Sequence, residues 1–363
     1  MDEIDICIIG GGIIGLTLAY KLSEAGLTGA VLESGPYLGD ETTGRNSGVL
    51  HAGLYYPTNS LKHLTCISGN EQWSTISKNL NIPINRCGKY VIASTIEETA
   101  QLEDLFQKAN ENQVRELRRL NQAEKKKLQK KAKVYDGFFS GTTGAIDVPA
   151  AVKSLRQHAE RNGFYVLTNH KVHNLTICGE TNGMVFELDS AKMRARMVIN
   201  CAGHGSIQIR ETLGLKDLTA YLVKGHYLKY TKKIDHDCLI YPLPRKDENG
   251  LGVHNVLMPD GTVTFGPDSE AVNQINYNFS PNALTRMTKD IEKTFNGINP
   301  SCLQQDFVGI RPKLIHGGKA HHDFWIKGPQ HHNIAGYIEL CGIDSPGITS
   351  APAIADMVLA MIN

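Results

Sequence analysis

The sequence predicts an α/β fold in which a discontinuous Rossmann-like domain is joined to a second, α+β domain built on an antiparallel sheet. Two observations predict the first domain. A strand, a glycine turn, a helix and a second strand open the chain, and a strand, a glycine turn and a helix close it. A third observation predicts the second domain: between residues 220 and 320, Pro, Gly and Asp turns separate short apolar runs. We expect the runs 227–230, 239–241, 251–254 and 263–265 to be strands of one antiparallel sheet. We therefore expect both ends of the chain to join one nucleotide-binding sheet.

The opening unit has the spacing of a dinucleotide-binding fingerprint. A short apolar strand precedes Gly10-Gly11-Gly12-Ile13-Ile14-Gly15, and the next strand ends at Glu33. Gly10 permits the tight turn, Gly12 lets the backbone approach a pyrophosphate, and Gly15 brings helix and strand close. The pyrophosphate would meet the free N–H groups of the helix, and Glu33 stands where a carboxylate binds ribose hydroxyls. This unit by itself fits NAD as well as FAD.

Composition and charge set limits on partners and compartment. The chain has 363 residues and a formal net charge of +1 at pH 7, which gives no reason to expect a nucleic-acid partner. No apolar stretch reaches transmembrane length, and Met1-Asp2-Glu3 is acidic, unlike the start of a signal peptide. The eight cysteines include no C-x-x-C pair, which is typical of reduced thiols. We therefore expect a cytoplasmic protein without a transmembrane segment.

Metal-ligand patterns are missing from the sequence. His321-His322 and His331-His332 are adjacent pairs, whose side chains diverge on a strand. No cysteine or carboxylate stands at a recognisable ligand spacing, and there is no phosphate loop or nucleophile elbow. We therefore expect no metal centre.

A cluster of positive charge lies between Glu124 and Lys133, where six lysines occur. Such a run is typical of a solvated helix face, and this is our default expectation. The alternative is weak contact with an anionic membrane surface, which would make the protein peripheral at the inner face of a membrane.

Further motifs follow the opening unit in order along almost the whole chain. They are Arg45-Asn46-Ser47-Gly48-Val49-Leu50-His51-Ala52-Gly53-Leu54-Tyr55-Tyr56-Pro57, Cys87-Gly88-Lys89, Thr143-Gly144-Ala145-Ile146-Asp147, Ile240-Tyr241-Pro242, Gly252-Val253-His254, Phe265-Gly266-Pro267, Gly309-Ile310-Arg311-Pro312-Lys313 and Gly342-Ile343-Asp344-Ser345-Pro346-Gly347-Ile348-Thr349. Together these motifs resemble the FAD-dependent oxidoreductases of the D-amino-acid oxidase and glycerol-3-phosphate oxidase superfamily. Within it the chain is most similar to the L-2-hydroxyglutarate dehydrogenase family, in its short bacterial form. Two features depart from that family: the chain lacks its extra sequence, and a Pro-Lys pair follows Arg311.

The resemblance implies that the protein binds FAD non-covalently along the first domain. It places the stretch Thr42–Gly48 near the flavin ring and Gly203 along the flavin chain. Val172, on a strand expected after Asn169, would offer backbone atoms to the adenine. Gly347, Ile348 and Thr349 open the last helix, whose positive end would stabilise the negative charge of reduced flavin. The residues so assigned to the cofactor are Gly10, Gly12, Ile13, Ile14, Gly15, Glu33, Thr42, Thr43, Arg45, Asn46, Ser47, Gly48, Val172, Ala202, Gly203, Arg311, Gly347, Ile348 and Thr349.

The domain boundaries follow from the same reading. We expect residues 1–85, 145–218 and 322–363 to form the FAD-binding domain. Residues 86–144 and 219–321 would form the substrate domain.

Two histidines are candidate catalytic residues. In similar glycerol-3-phosphate oxidases a histidine at the position of His51 lies over the flavin. Oxidation of an alcohol requires removal of its O–H proton, and an imidazole with a pKa near 6.5 suits that work at neutral pH. We expect His51 to be this base, and we expect the rate of flavin reduction to rise with pH near the imidazole pKa. The alternative is a histidine that only makes a hydrogen bond within its loop. His254 is either a second base or substrate donor, or a histidine that only completes a strand end.

Four residues are candidate substrate ligands. Arg311 is the expected carboxylate anchor, because its planar guanidinium matches two carboxylate oxygens. Lys313 would add a second positive charge for a dianion. For both residues the alternative is a surface salt bridge. Tyr56 and Tyr241 would donate hydroxyl hydrogen bonds, although tyrosines also fill cores.

These expectations favour oxidation of the C2 alcohol of an L-2-hydroxy acid resembling 2-hydroxyglutarate, with hydride transfer to flavin N5. The alternatives are an amino-acid or amine oxidase, or a glycerol-3-phosphate oxidase, on the same scaffold. A nicotinamide dehydrogenase is disfavoured by the returning C-terminal unit, and an inactive flavin-binding scaffold by the intact His51, His254 and Arg311. The expected partner is a small-molecule carboxylate, and the electron acceptor is either a quinone or oxygen.

Overall fold

The elements are those of a computed structural model, which describes residues 3–178, 183–244 and 252–362. The strands are β1 (Glu3–Ile9), β2 (Gly29–Leu32), β3 (Val49–Leu50), β4 (Ile84–Asn85), β5 (Lys89–Ala93), β6 (Leu117–Arg119), β7 (Asp136–Ser140), β8 (Gly144–Ile146), β9 (Phe164–Leu167), β10 (Asn174–Ile177), β11 (Met184–Glu187), β12 (Lys192–Asn200), β13 (Leu218–Tyr230), β14 (Leu239–Pro242), β15 (His254–Leu257), β16 (Val263–Gly266), β17 (Glu270–Val272), β18 (Leu303–His316), β19 (Lys319–His321), β20 (Trp325–Lys327) and β21 (Tyr337–Cys341). The helices are α1 (Ile13–Glu24), α2 (Leu61–Leu80), α3 (Thr99–Glu111), α4 (Gln122–Leu128), α5 (Val148–Arg161), α6 (Ser206–Thr212), α7 (Ala283–Thr294), α8 (Pro329–His332) and α9 (Gly347–Ile362).

The largest sheet contains both ends of the chain. Its strand order is β10-β11-β12-β1-β2-β9, with β21 beside β12 and β20 beside β21. The strands β9, β2, β1, β12 and β21 pair in parallel, whereas β10, β11 and β20 are antiparallel additions. The predicted Rossmann-like sheet, closed by the C-terminal strand, is confirmed.

Both faces of this sheet are buried, as expected for parallel strands. Ile6 and Ile8 of β1 pack against apolar residues of α1, α5 and α9. Their neighbours Cys7 and Ile9 face the opposite side, together with Phe186 of β11. Each such large aliphatic side chain contributes roughly 1.5–3 kcal/mol on burial. Burial on both faces therefore holds the carboxyl ends of β1 and β2 in place beneath the glycine turn.

Outside the largest sheet, the strands of the expected substrate domain form two sheets. One is antiparallel, with the order β15-β16-β13-β18-β19 and β17 paired to β13, as predicted. The other has the order β14-β5-β7-β6, and in it β14 runs parallel to β5. The run Leu239–Tyr241 was expected in the antiparallel sheet, and that expectation is wrong. The side chain of Asn255 explains why β14 lies beside β15 without pairing with it. Asn255 Oδ1 accepts a hydrogen bond from Ile240 N, and Asn255 Nδ2 donates one to Cys238 O, so side-chain bonds take the place of strand pairing.

Two other predicted strands differ in extent. A strand was expected over residues 251–254, but β15 begins only at His254, and Leu251 lies outside the described residues. Val172 was expected on a strand, whereas it lies between β9 and β10. Every strand of the largest sheet falls within the ranges expected for the FAD-binding domain. The division of the chain into two domains at those boundaries stays a prediction.

Lysines of the segment between Glu124 and Lys133 form ion pairs with carboxylates of the same chain. Lys125 Nζ lies 2.7 Å from Asp136 Oδ1, and Lys131 Nζ lies 2.7 Å from Asp237 Oδ1. Lys127 Nζ lies 3.5 Å from the other oxygen of Asp237. In the part of the chain that the structure describes, no helix is both long and apolar enough to cross a membrane.

Candidate active site

A cavity of about 730 Å³ opens where the carboxyl ends of β1 and β2 face β18 and the turn before α9. This is the edge at which open α/β sheets bind ligands. Many predicted site residues line it: Gly10, Gly12, Ile13, Ile14, Glu33, Thr42, Thr43, Arg45, Asn46, Ser47, His51, Tyr56, Val172, Ala202, Gly203, His254, Arg311, Lys313, Gly347 and Ile348. Four predicted residues are absent from the lining, namely Gly15, Gly48, Tyr241 and Thr349.

The glycine turn has the geometry that a close-lying dinucleotide requires. Gly10 has φ +110°, and a Cβ there would lie 2.4 Å from the carbonyl oxygen of Cys201. At Gly15 a Cβ would lie 2.1 Å from Gly10 O, so glycine is needed for helix–strand packing. Glu33 Oε2 accepts from Gly11 N at 2.8 Å, which places the carboxylate beside the turn. These residues fit the adenosine and pyrophosphate of FAD.

The loop from Thr42 to Gly48 is fixed against the start of α1. Thr43 Oγ1 accepts from Ile13 N at 3.0 Å. Asn46 Nδ2 donates to Thr42 O at 2.9 Å, and Asn46 Oδ1 accepts from Gly48 N at 2.7 Å. Gly48 therefore shapes the loop without lining the cavity.

His51 is held by its backbone and is buried among polar groups. Its N–H donates to Thr349 Oγ1 at 2.9 Å, and its carbonyl accepts from Asn70 Nδ2 at 2.8 Å. The ring Nε2 lies 3.3 Å from Ser345 Oγ, whereas Nδ1 is buried without a partner among the described residues. Burial, followed by the charge of Lys89 and by His254, lowers the pKa of His51 well below 6.5. The imidazole is therefore neutral and able to accept a proton at neutral pH.

His254 lines the cavity, but Tyr241 lies behind it. The two rings stack with centroids 3.7 Å apart. The Tyr241 side chain is fully buried, so the structure separates it from the cavity and gives it a packing position. Its hydroxyl is buried without a hydrogen-bond partner among the described residues, and the expectation that it reaches substrate stays a prediction. Burial, with smaller effects of Lys89 and Arg311, lowers the pKa of His254 to about 3.

Positive side chains gather along one wall of the cavity. Arg311 Nη2 donates to Asp268 O at 3.3 Å, and its Nη1 is buried without a partner among the described residues. Lys313 and Lys62 each place Nζ 2.6 Å from an oxygen of Asp344. Burial raises the pKa of Asp344, but the two lysines outweigh it and leave the pKa lowered. Two lysines on one carboxylate leave the cluster Lys62–Asp344–Lys313 with a net positive charge.

Several residues in or beside the site were not predicted. Lys62 and Ser345 line the cavity, and Lys89 is buried beside the aromatic rings of Tyr55 and Tyr241. Lys62 has no sequence signal, because it stands in the first turn of an ordinary helix. Ser345 and Lys89 lie inside motifs on which the family resemblance rests, which was a usable signal.

Fold and site together define a flavin-dependent oxidoreductase: a Rossmann-like sheet, a glycine turn with its acidic partner, and a second helix N-terminus facing the same cavity. The chain belongs to the family described as FAD dependent oxidoreductase (DAO), whose model matches residues 5–361. FAD is therefore the cofactor. Among the described residues, no group of three or more His, Cys, Asp or Glu side chains is arranged to hold a metal ion.

Similar proteins of two activities cover nearly the whole chain. A mitochondrial L-2-hydroxyglutarate dehydrogenase of Arabidopsis thaliana is 28% identical over 98% of this chain and 83% of its own length. A glycerol 3-phosphate oxidase of Mycoplasma pneumoniae is 29% identical over 100% of this chain and 95% of its own. The structure of L-α-glycerophosphate oxidase from that organism, with FAD bound, matches with a TM-score of 0.89 at 25% identity, covering 100% of this chain and 95% of its own.

Proposed function

We propose that this protein oxidises the C2 alcohol of an L-2-hydroxy acid resembling 2-hydroxyglutarate to the corresponding 2-oxo acid. The chain's similarity to L-2-hydroxyglutarate dehydrogenases supports the reaction class. One observation carries the proposal: two side chains line the same cavity, the neutral, buried imidazole of His51 and the half-buried guanidinium of Arg311. The Nη1 atom of that guanidinium is buried and has no hydrogen-bond partner among the described residues. That pair suits a substrate with an alcohol next to a carboxylate.

The side chains divide the chemistry between binding and proton transfer. When bound, FAD supplies the hydride acceptor at flavin N5. The guanidinium of Arg311 binds the substrate carboxylate through its free Nη1 and so orients C2. The imidazole of His51 takes the hydroxyl proton, and Ser345 Oγ, 3.3 Å from Nε2, helps orient the ring.

The cluster Lys62–Asp344–Lys313 suits a second acidic group on the substrate. Its net positive charge is partly buried, so an anionic group there is screened less by water. A terminal carboxylate and a phosphate both meet this requirement. The cluster therefore supports 2-hydroxyglutarate and, as a second candidate, glycerol 3-phosphate, the substrate named for the M. pneumoniae relative.

A spectrum and a substrate panel test the proposal. We expect the purified protein to be yellow, with absorption bands near 370 and 450 nm that are typical of oxidised flavin. Acid denaturation should release the colour into solution, because the FAD is held without a covalent bond. Colour that stays with the pellet would contradict this binding mode.

Anaerobic bleaching then identifies the substrate. L-2-hydroxyglutarate should bleach the flavin, whereas its D-enantiomer, the stereochemical control, should not. L-lactate tests the need for a second acidic group, sn-glycerol 3-phosphate tests the second candidate, and an L-amino acid tests amine oxidation. Bleaching by the amino acid alone would overturn the proposal. Reoxidation with oxygen or with a soluble quinone, measured in parallel, distinguishes the two classes of electron acceptor.

A further inference from the structure

Lys89 is a buried lysine with no carboxylate partner among the described residues. It is the first residue of β5, and its side chain is fully buried. Its Nζ has no hydrogen-bond partner among the described residues. The ammonium lies 4.7 Å from the ring centre of Tyr55 and 4.6 Å from that of Tyr241. Two aromatic rings thus replace the water and anions that usually surround a lysine.

Such a position is costly for folding. Removing an ammonium from water is strongly unfavourable unless it is paired, and cation–π contacts return only part of that cost. Burial lowers the pKa of Lys89 to about 7, so its positive charge is retained only in part at neutral pH. Perturbed buried groups of this kind occur preferentially at functional sites.

The surroundings of Lys89 connect it to the cavity. Tyr55 lines the cavity, and Tyr241 stacks on His254, which also lines it. The charge of Lys89 acts on both His51 and His254. The titratable and charged groups around Lys89 and the two histidines are Tyr55 in the loop after β3, Cys66 of α2, Tyr241 of β14, His254 of β15 and Arg311 of β18.

We infer that Lys89 is a positioning residue for His51: the two buried side chains hold at most one proton between them, so His51 takes up the proton of the substrate alcohol only when Lys89 is neutral. Two positive charges in this enclosed space would repel each other strongly. The O–H bond of the alcohol breaks and its proton moves to the imidazole. The C2 hydride leaves with its electron pair to the bound FAD. The inference rests on the proposed function, in which His51 is the base.

The test compares three forms of the holoenzyme by anaerobic single-turnover flavin reduction between pH 6 and 9. In the wild type, the rate should rise with pH around 7, and at pH 6 it should be about tenfold below its plateau, because Lys89 is then mostly charged. Lys89→Met removes the charge with little change of length, so its rate should stay at the plateau down to pH 6. Lys89→Arg keeps the charge throughout, so its rate should stay low up to pH 9.

A second measurement does not depend on turnover. NMR of histidine-labelled protein, with His51→Gln to assign the signal, reports the titration of His51. In Lys89→Met the pKa of His51 should be higher than in the wild type by about one unit, the usual scale for a nearby charge. Lys126→Met, the same change on the exposed face of α4, should alter neither readout.

The possible results separate the two proposals. If L-2-hydroxyglutarate and sn-glycerol 3-phosphate both leave the wild-type flavin oxidised, the proposed function fails, and the NMR titration still decides the coupling. If the wild type is reduced but Lys89→Met keeps both its pH profile and its His51 titration, the inference about Lys89 is overturned. Thermal unfolding and flavin content show whether Lys89→Met and Lys89→Arg are folded. If Lys89→Arg does not fold, Lys89→Met alone still decides whether Lys89 is coupled to His51.

Discussion

At the scale of single residues, burial changes what His51 is expected to do. An exposed imidazole would lose its basic form near pH 6.5, and the sequence led us to expect flavin reduction to titrate there. Burial lowers the pKa of His51 well below that value, so the neutral form persists to lower pH. The rise of the flavin-reduction rate that reflects the loss of the His51 proton therefore lies below pH 6.5. In our proposal, a rise of that rate near pH 7 reflects the loss of the Lys89 proton.

His51→Ala tests the base directly. We expect it to retain FAD and to bind substrate, but to reduce its flavin roughly 10²–10⁴-fold more slowly in single turnover, which is the usual contribution of a general base. His254→Ala is the comparison, since both rings line the same cavity. If His254→Ala is slow and His51→Ala matches the wild type, the proton is taken by His254 instead.

Arg311→Lys tests the carboxylate anchor. The lysine keeps the positive charge but loses the planar fork, so the apparent Michaelis constant should rise while flavin content stays unchanged. The loss of substrate-binding free energy should be on the order of 2–4 kcal/mol, as for a desolvated charge contact. Arg156→Lys, in a surface ion pair with Glu160, is the matched control and should behave as wild type. An unchanged Michaelis constant in Arg311→Lys would mean that another group binds the carboxylate.

At the scale of elements, the approach of α1 to β1 depends on Gly15. A Cβ at this position would lie 2.1 Å from Gly10 O, a backbone atom that cannot move without disturbing the turn. Gly15→Ala should therefore lower the free energy of unfolding by about 1–3 kcal/mol, the usual cost of overpacking, and weaken FAD retention.

Gly328→Ala, outside the cavity lining, provides the control for Gly15→Ala in the same measurements. The nearest neighbour of its Cβ would be Met361 Sδ at 3.3 Å, the far end of a flexible side chain. Urea unfolding and the flavin content after gel filtration compare the two variants. Equal stability and equal flavin content would show that α1 can shift away from β1, contrary to our reading of the turn.

At the scale of the whole molecule, Lys89 links stability to pH. In the unfolded chain its pKa returns to about 10.5, whereas in the folded protein burial holds the pKa at about 7. Between these values the unfolded state binds more protons, so the contribution of Lys89 to stability becomes more favourable as pH rises. Its full cost, present below pH 7, is on the order of 5 kcal/mol, because the pKa falls from 10.5 to about 7 and each unit is worth about 1.4 kcal/mol. Lys89→Met should therefore melt at a higher temperature than wild type at pH 6, and this advantage should shrink toward pH 10. An advantage that does not change with pH would indicate that packing, and not the charge, is responsible.

Association with a membrane surface is also a property of the whole molecule. Because Lys125, Lys127 and Lys131 pair with carboxylates, less of their charge is available to anionic lipids. We expect little or no flotation with anionic liposomes at physiological salt, and at most weak binding at low salt. Neutral liposomes are the control. Strong flotation that survives high salt would contradict the interpretation as a solvated face.

Sequence motifs predicted those parts of the fold and of the site that depend on residues close together along the chain. The glycine turn and Glu33 were predictable because φ, close approach and strand length follow from adjacent residues. His51, Tyr56, Arg311 and Lys313 were identified from motifs, and the structure brings them to one cavity. Their functional roles stay predictions, whereas the family and its FAD cofactor are established by the match over residues 5–361.

The sequence by itself determined the Rossmann-like opening, the return of the C-terminal unit and the glycine turn with Glu33 beside it. Only the tertiary structure decided that β14 joins β5, that Tyr241 packs behind His254, and that Lys62 shares Asp344 with Lys313. The physical reason is distance along the chain. Periodicity and turn residues act over a few neighbouring positions, whereas burial, pKa shifts and ion pairs depend on groups that only folding brings together. Lys89 shows the difference most clearly, because an ordinary lysine in the sequence becomes a partly discharged one between two tyrosine rings.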